Sequence, residues 1–359
     1  MAATLPPGRR AMVRALAKDP AEGIDAIAIE PQDAPDPRRL ADDELVIAVR
    51  SANVGWVDLL MTSGQYQHVP EPPYTPGLEL AGEVVAIGAG VTAVQVGAKV
   101  IADGAQTGPR SLGAHRRWGG FASYTVAPAH AVMPLPPTFS FDEGACLLGG
   151  TETAYHALVH RADVRAGEIV LVLGATGSTG LAAVAMAKLL GARVIAVGRS
   201  AAKLESARQV GATDVIAGAV DLKAEVKRLT DGRGADVVYD SIGGEASVAA
   251  LRAAAFGARF VVVGWSSTPL VARRGRDPNT LPTNLILMKS IDVLGSPAMI
   301  AVHRDPSIRT ERLARILAWA AAGELRPHIG AVFGMDALHE ALRAKWESRY
   351  PGNIVLHPD

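Results

Sequence analysis

A glycine-rich turn lies between an apolar run and a helical stretch in the middle of the chain. Its residues are Gly174, Ala175, Thr176, Gly177, Ser178, Thr179 and Gly180. Glycine lets a backbone turn tightly and approach a pyrophosphate, whose charge is favoured by the N–H groups and the positive dipole end of a helix N-terminus. Because this turn follows a predicted strand and opens a predicted helix, it predicts a dinucleotide-binding site.

The end of the next predicted strand bears on which dinucleotide binds. An acidic residue there would bind the ribose hydroxyls and repel a 2′-phosphate. The chain instead has Gly198, Arg199 and Ser200, with Lys203 one turn into the following helix. A guanidinium, a hydroxyl and an ammonium suit a phosphate dianion, so these residues predict NADPH. The alternative is that they form no more than a solvated helix start.

Both segments belong to a run of alternating strands and helices. Ile169–Leu173 is an apolar run typical of a strand buried on both faces, and further strand-like runs alternate with helical stretches up to about residue 294. Parallel strands with intervening helices form a doubly wound sheet. We therefore predict a Rossmann domain over residues 151–294.

The first 150 residues have a different texture. Short apolar runs bounded by Gly and Pro, such as 45–49, 82–87 and Lys99–Ala102, predict a compact and mostly β domain. Residues 295–359 include an amphipathic helix and a final strand at 353–356, but no domain of their own. We predict that they pack onto the first domain.

Composition limits the function classes. Lys+Arg and Asp+Glu both number 36, so no net charge attracts the protein to nucleic acid or to an anionic membrane. The sequence has neither a secretion signal nor an apolar stretch of about 20 residues, so we expect a cytoplasmic protein with a small-molecule substrate. The one cysteine, Cys146, lies in an apolar run and is predicted to be a core residue. A single thiol cannot build a Cys-rich metal site.

Further motifs lie on both sides of the glycine turn. They are Val57-Asp58-Leu59-Leu60-Met61, Ser63-Gly64-Gln65-Tyr66, Pro76-Gly77-Leu78-Glu79-Leu80-Ala81-Gly82, Gly119-Gly120-Phe121-Ala122, Thr153-Ala154-Tyr155-His156-Ala157-Leu158 and Gly232-Arg233-Gly234-Ala235-Asp236-Val237-Val238. With the glycine turn, they resemble the medium-chain dehydrogenase/reductase superfamily, in its zinc-independent quinone oxidoreductase branch, over nearly the whole chain. The resemblance implies an α/β fold. A GroES-like, mostly β catalytic domain (1–150 and 295–359) would carry an inserted doubly wound Rossmann domain (151–294).

Alcohol dehydrogenases of this superfamily bind a catalytic zinc ion through three side chains. The resemblance places those positions at Gly55, Leu78 and Gly149, which have no donor atoms, whereas catalytic zinc needs three protein ligands. We therefore expect no metal. Without a Lewis acid, a quinone or an α,β-unsaturated carbonyl compound is the better acceptor, because its conjugated carbonyl spreads the charge that arrives with hydride. The resemblance thus implies NADPH-dependent reduction of such a compound.

The resemblance also implies residues on the substrate side. Tyr66 matches a tyrosine that hydrogen-bonds the substrate carbonyl or donates a proton, although packing at the domain edge would equally explain it. Related proteins often have an asparagine where Gly55 stands, and Asn53 is the candidate substitute. The apolar wall of the substrate site is assigned to residues whose types also occur in ordinary cores: Trp56, Met61 and Tyr74.

On the cofactor side, Thr153 is assigned to the nicotinamide amide. Gly264, Trp265 and Ser266 are expected to border the nicotinamide ring at the end of a sheet strand. Arg349 matches an arginine that the resemblance places near the adenosine phosphate.

Three arginines in one loop, Arg273, Arg274 and Arg276, leave a second enzymatic interpretation open. If they line the site, they would bind the phosphates of a CoA thioester and favour enoyl-CoA reduction; facing solvent, they would leave free quinones or enones favoured. A non-catalytic NADPH-binding protein is a third alternative, against which the intact cofactor motifs argue. By analogy with many relatives, the strand at 291–294 is a candidate edge for a homodimer.

Overall fold

The structure is a computed structural model that describes residues 5–267 and 279–359. The loop containing Arg273, Arg274 and Arg276 lies outside the described residues. Among those described, no helix is both long enough and apolar enough to cross a membrane.

The strands alternate with helices in the middle of the chain and cluster at its two ends. They are β1 (Gly8–Met12), β2 (Ala28–Gln32), β3 (Glu44–Asn53), β4 (Leu80–Ile87), β5 (Lys99–Ala102), β6 (Tyr124–Pro128), β7 (Val132–Pro134), β8 (Ile169–Leu173), β9 (Arg193–Gly198), β10 (Asp214–Ala217), β11 (Ala235–Asp240), β12 (Ala254–Val262), β13 (Asp292–Gly295), β14 (Ile329–Gly334) and β15 (Asn353–His357).

The helices are α1 (Pro20–Ala26), α2 (Trp56–Met61), α3 (Phe141–Ala145), α4 (Leu148–Tyr155), α5 (Ser178–Leu189), α6 (Ala201–Val210), α7 (Leu222–Leu229), α8 (Gly244–Ala253), α9 (Thr283–Lys289), α10 (Ala298–Arg304), α11 (Ile308–Ala321) and α12 (Leu338–Trp346). A π-helical turn, His156–Arg161, continues α4.

The chain divides into two compact units. The first comprises the residues up to Leu148 together with Ile329–Asp359, and the second comprises Gly149–His328. Residues 295–328, which we predicted to join the first domain, therefore fall in the second unit. The physical reason is a buried ion cluster: Arg309 of α11 donates from Nε to Glu152 of α4 at 2.7 Å, which ties this segment to the start of the second unit.

The second unit is built on a six-stranded parallel sheet in the order β10-β9-β8-β11-β12-β13. Read by its place in the unit, this is strand order 3-2-1-4-5-6, the arrangement of doubly wound dinucleotide folds. The central strand β8 is buried at every position, as a parallel strand covered by helices on both faces must be. The predicted strand Ile169–Leu173 has the same bounds as β8.

The first unit contains a seven-stranded sheet in the order β14-β15-β3-β4-β5-β7, with β6 paired to β3, and a separate β1-β2 ribbon. Its long central strand β3 pairs with β4, β6 and β15, all antiparallel. Its core includes Leu45, Ile47, Val84 and Leu356. Cys146 lies at the end of α3 and is only 3% exposed, which fits the predicted core position.

Candidate functional site

The glycine turn joins β8 to α5 in the second unit. Gly174 has φ +66°, a backbone conformation that favours glycine. A Cβ on Gly180 would lie 2.1 Å from the carbonyl oxygen of Gly174, so only glycine lets the helix start so close to the turn. Gly177 is the N-cap of α5 and has no side chain to accept hydrogen bonds from the first turn. The predicted turn is therefore shaped to present helix N–H groups to an anion.

The residues at the end of β9 lie against this turn. A Cβ on Gly198 would be 3.2 Å from Cγ2 of Thr176, so the two predicted cofactor segments meet. Ser200 caps α6, accepting from the N–H of Lys203 at 3.4 Å. Burial first, and then the charge of Arg199, lower the pKa of Lys203. Two cations thus share the helix start, where a phosphate would relieve their repulsion.

The carboxyl ends of β11 and β12 complete this edge of the sheet. The N–H of Gly264 donates to Asp240 O at 3.2 Å, and Ser266 Oγ donates to Ser241 O at 3.1 Å. Ser241 Oγ in turn donates to Leu173 O at 3.2 Å. The predicted segment Gly264–Ser266 is therefore linked to the end of β8, next to the glycine turn.

Sequence reasoning missed Asp240 and Ser241. Asp240 is buried and accepts from the N–H groups of Ile242 and Gly243 at 2.9 and 3.1 Å, and also from the Ser247 hydroxyl. These bonds hold the loop after β11. Their place near the site could have been predicted from the sequence. Ligands of doubly wound sheets bind beyond the carboxyl ends of the strands, and Asp240 is the last residue of β11.

Two other predicted cofactor residues have protein partners. Thr153 lies on α4 and donates from Oγ1 to Gly149 O of its own helix at 2.7 Å. Arg349 lies in the first unit, exposed, and its Nε donates to Glu347 at 2.6 Å. Their cofactor roles stay predictions.

The substrate-side predictions all fall in the first unit, around α2. Trp56 begins α2 and stacks on Trp346 of α12, with ring centroids 5.1 Å apart and planes 8° apart; sequence reasoning missed Trp346. Met61 and Tyr74 are each only 1% exposed, so core packing accounts for their apolar character, and substrate contact stays a prediction for them. Tyr66 follows α2 and is half-buried.

Asn53, at the end of β3, is part of a buried polar cluster. Its Nδ2 donates to Glu79 Oε2 at 2.6 Å, and the other oxygen of Glu79 lies 4.0 Å from Arg110 Nη2. Arg110 was also missed, because it lies in a loop whose sequence has no motif. We call Asn53, Glu79 and Arg110 the polar triad.

Asp58 lies close to this triad. Its two carboxylate oxygens accept from the N–H groups of Gly55 and Gly77 at 2.9 and 3.0 Å. Burial raises the pKa of Asp58 to about 7, while the charge of Arg110 opposes that rise. Within residues 5–267 and 279–359, no group of three or more His, Cys, Asp or Glu side chains is placed to hold a metal ion.

Comparisons with known proteins agree with this architecture. The family described as "Alcohol dehydrogenase GroES-like domain" matches residues 41–137, and that described as "Zinc-binding dehydrogenase" matches residues 178–305. The Quinone oxidoreductase-like protein 2 homolog of Nematostella vectensis is 33% identical over 321 residues, which are 89% of this chain and 82% of that protein. This chain belongs to the medium-chain dehydrogenase/reductase superfamily. Its similarity to quinone oxidoreductase-like proteins places it in that branch, as the motifs predicted.

Solved structures of this superfamily share the whole fold. A probable oxidoreductase from Mycobacterium abscessus has a TM-score of 0.81 at 27% identity, covering 98% of this chain and 99% of that one. A mycobacterial protein solved in complex with NADPH has a TM-score of 0.78 at 25% identity, covering 98% of this chain and 100% of that one. The predicted GroES-like and Rossmann architecture is confirmed. This superfamily member is an oxidoreductase with a nicotinamide cofactor site.

Proposed function

We propose that this superfamily member uses NADPH to reduce a quinone or an α,β-unsaturated carbonyl compound, without a metal ion. The observation that carries the proposal is the chemistry of two positions. Gly55 and Leu78, where the resemblance places zinc ligands, have no donor atoms, and a catalytic zinc site needs three. A conjugated acceptor suits such a site, since it spreads the incoming charge over its own carbonyl.

NADPH, when bound, supplies the hydride. The first turn of α5 and the glycines at its start would hold its pyrophosphate. Arg199, Ser200 and Lys203 would hold the 2′-phosphate, because no carboxylate lies among them to repel it.

The test is a substrate panel of 1,4-naphthoquinone, a simple enone and crotonyl-CoA, each assayed with NADPH and with NADH. We expect NADPH to be preferred at least about tenfold with a quinone or enone, since a phosphate–arginine contact contributes at least that factor. Arg199→Asp should weaken the preference. Arg208→Asp, which replaces an exposed arginine of the helix that follows Arg199, should not. Equal use of NADH by the wild type would contradict the phosphate site.

The same panel separates the alternatives. Turnover confined to crotonyl-CoA would favour the thioester reductase, and cofactor binding without turnover would favour a non-catalytic role. Elemental analysis of active protein should find no stoichiometric zinc. If a chelator removed zinc and activity together, that result would contradict the metal-free mechanism.

We propose further that the protein forms a homodimer through β13. This strand ends the sheet order of the second unit, and an edge strand offers unpaired backbone groups to a second copy. Val293 of β13 is 42% exposed, and Leu287 and Met288 of α9 are 82% and 71% exposed, an apolar surface suited to burial. Sedimentation should show a dimer that Val293→Lys dissociates; an unchanged dimer would place the interface elsewhere.

A further inference from the structure

Arg110 belongs to a loop between β5 and β6 that its own hydrogen bonds hold in place. Before it, Asp103 is 1% exposed and accepts from the Ala105 N–H and the Gln106 side chain at 3.0 and 2.6 Å. After it, Ser111 is 2% exposed and its hydroxyl donates to Gly108 O at 2.8 Å. The backbone is thus anchored on both sides of Arg110, which fixes where its side chain begins.

The guanidinium of Arg110 is buried but incompletely paired. Its side chain is 11% exposed, and Nη2 is 4.0 Å from Glu79 Oε1, beyond the length of a hydrogen bond. Nε is buried and has no hydrogen-bond partner in the described part of the chain, and the same holds for Glu79 Oε1 and Asn53 Oδ1. A buried cation without a close acceptor is costly. Because the side chain keeps 11% exposure, a ligand oxygen that reaches its exposed part would stabilise it.

The surroundings leave space for the side chain. A Cβ on Gly104 would lie 3.1 Å from Arg110 Nη2 and 2.5 Å from Leu78 O. Glycine at this position therefore leaves room for the guanidinium beside the backbone carbonyl of Leu78.

The charge of Arg110 also reaches Tyr66. Burial raises the pKa of the Tyr66 hydroxyl, and the charge of Arg110 acts against that rise. The tyrosine predicted to face the substrate carbonyl and the incompletely paired guanidinium are therefore neighbours in one unit.

We propose that Arg110 is the catalytic electrophile of this enzyme, binding the carbonyl oxygen of an enone or quinone substrate and stabilising the negative charge that develops there. The inference rests on the proposed function. The hydride that NADPH would supply, through cleavage of a C–H bond of its dihydronicotinamide, forms a new C–H bond at the conjugated carbon. The C=C pair then shifts toward the carbonyl carbon, and the C=O pair moves onto oxygen. Arg110 donates a hydrogen bond to that oxygen and keeps its proton. The proton that completes the product comes from solvent water.

A positioned cation of this kind stabilises an oxyanion more than a neutral carbonyl. A purely structural arginine, by contrast, would only hold the loop. The two roles differ in one measurable property: only the electrophile favours a bound oxyanion.

The probe is 4-nitrophenol, whose coloured phenolate resembles the enolate oxygen, titrated on the full chain with NADP⁺ present. We expect the apparent pKa of the bound probe to lie about one unit below that of the free phenol, as an adjacent cation requires. Arg110→Met should remove this shift, and Arg110→Lys should keep part of it. Arg117→Met, an exposed cation of the same loop, should leave it unchanged.

Kinetics provide a second readout. Arg110→Met should lower kcat for an enone about 100-fold, the usual loss of an oxyanion donor, while the Kd for NADPH stays the same. If Arg110→Met does not fold, the probe pKa is compared between Arg110→Lys and Arg117→Met. The lysine variant should shift the probe pKa less, because an ammonium is a point charge and lacks the guanidinium fork.

An equal probe pKa in the wild type and both Arg110 variants would overturn the proposal, as would a wild type that fails to bind the probe. A wild type that shifts the probe pKa yet reduces no member of the panel would instead contradict the proposed function alone.

Discussion

Arg312 of the second unit and Arg110 of the first are both buried beside a glutamate, but their surroundings differ. Glu152 accepts from Arg309 at 2.7 Å, and Arg312 Nη1 lies 3.5 Å from the same carboxylate. Arg312 Nη2 also lies 3.1 Å from His156 Nδ1. Among the described residues, its Nε and Nη1 have no hydrogen-bond partner. Arg312 is 0% exposed, however, so no ligand can reach these atoms.

The polar triad of the first unit is looser and more accessible. Glu79 and Arg110 are separated by 4.0 Å, and both retain a little exposure, at 12% and 11%. Burial of an arginine therefore does not by itself indicate its role. A cluster closed to solvent contributes to the stability of the unit, whereas an accessible one is suited to binding a ligand.

The largest effect on stability is expected at Glu152. Glu152→Gln would leave Arg309 and Arg312 buried against a neutral amide, so the free energy of unfolding should fall by about 3–5 kcal/mol. Urea unfolding of the second unit measures it. Glu311→Gln is the control, because Glu311 is 75% exposed and 4.0 Å from Arg315, and it should unfold like the wild type. A small loss at Glu152 would mean that the cluster is not closed.

Acid should weaken the same cluster. Burial first, and then the charge of Arg312, lower the pKa of His156 from 6.5 to about 4. Between those values the unfolded chain binds a proton that the folded chain does not. This contribution is therefore fully present above pH 6.5 and is lost as the pH falls toward 4, by about 3 kcal/mol.

The measurement is the pH dependence of the urea midpoint. His156→Gln cannot titrate and should show a shallower decline in acid than the wild type. His130→Gln, which replaces an exposed histidine, should follow the wild type. If the urea midpoints of all three proteins declined in parallel with pH, His156 would be taking up its proton in the folded state, and this prediction would be wrong.

The smallest stability effect is expected at Glu79, with a larger effect on catalysis. Glu79→Gln should cost about 1 kcal/mol or less in unfolding free energy, because the carboxylate is only loosely paired. It should lower kcat about tenfold by releasing Arg110 and Asn53. Glu83→Gln, on the strand that follows Glu79 and 38% exposed, should change neither the stability nor kcat. A stability loss as large as that of Glu152→Gln with unchanged kinetics would remove the distinction between the two clusters.

The cofactor side was predictable because its residues are contiguous. Gly174 to Gly180 form one turn, and the strand and helix around it follow local hydrophobic patterns. The segment Gly198–Ser200 follows the next strand, so the geometry of parallel sheets alone brings it to the same edge. Asp240 and Ser241 also lie at the carboxyl end of a parallel strand, so the same geometry could have predicted them.

The polar triad could not be predicted in this way. Asn53 and Glu79 are 26 residues apart, and Arg110 lies in a loop whose course depends on turns and hydrogen bonds rather than on periodicity. Similarly, Glu152 and Arg309 are separated by 157 residues. The local sequence of residues 295–328 therefore does not indicate which unit this segment joins. Contacts between distant loops and helix ends depend on tertiary packing, which single-sequence patterns do not contain.

The burial of Cys146 has a consequence for tolerance of reactive compounds. Burial raises the pKa of this thiol well above its usual value, so it stays protonated, and only a thiolate attacks Michael acceptors such as enones and quinones. The chain has no other cysteine. The compounds that we propose as substrates should therefore not alkylate the enzyme: N-ethylmaleimide should modify the unfolded chain once and leave the folded one active.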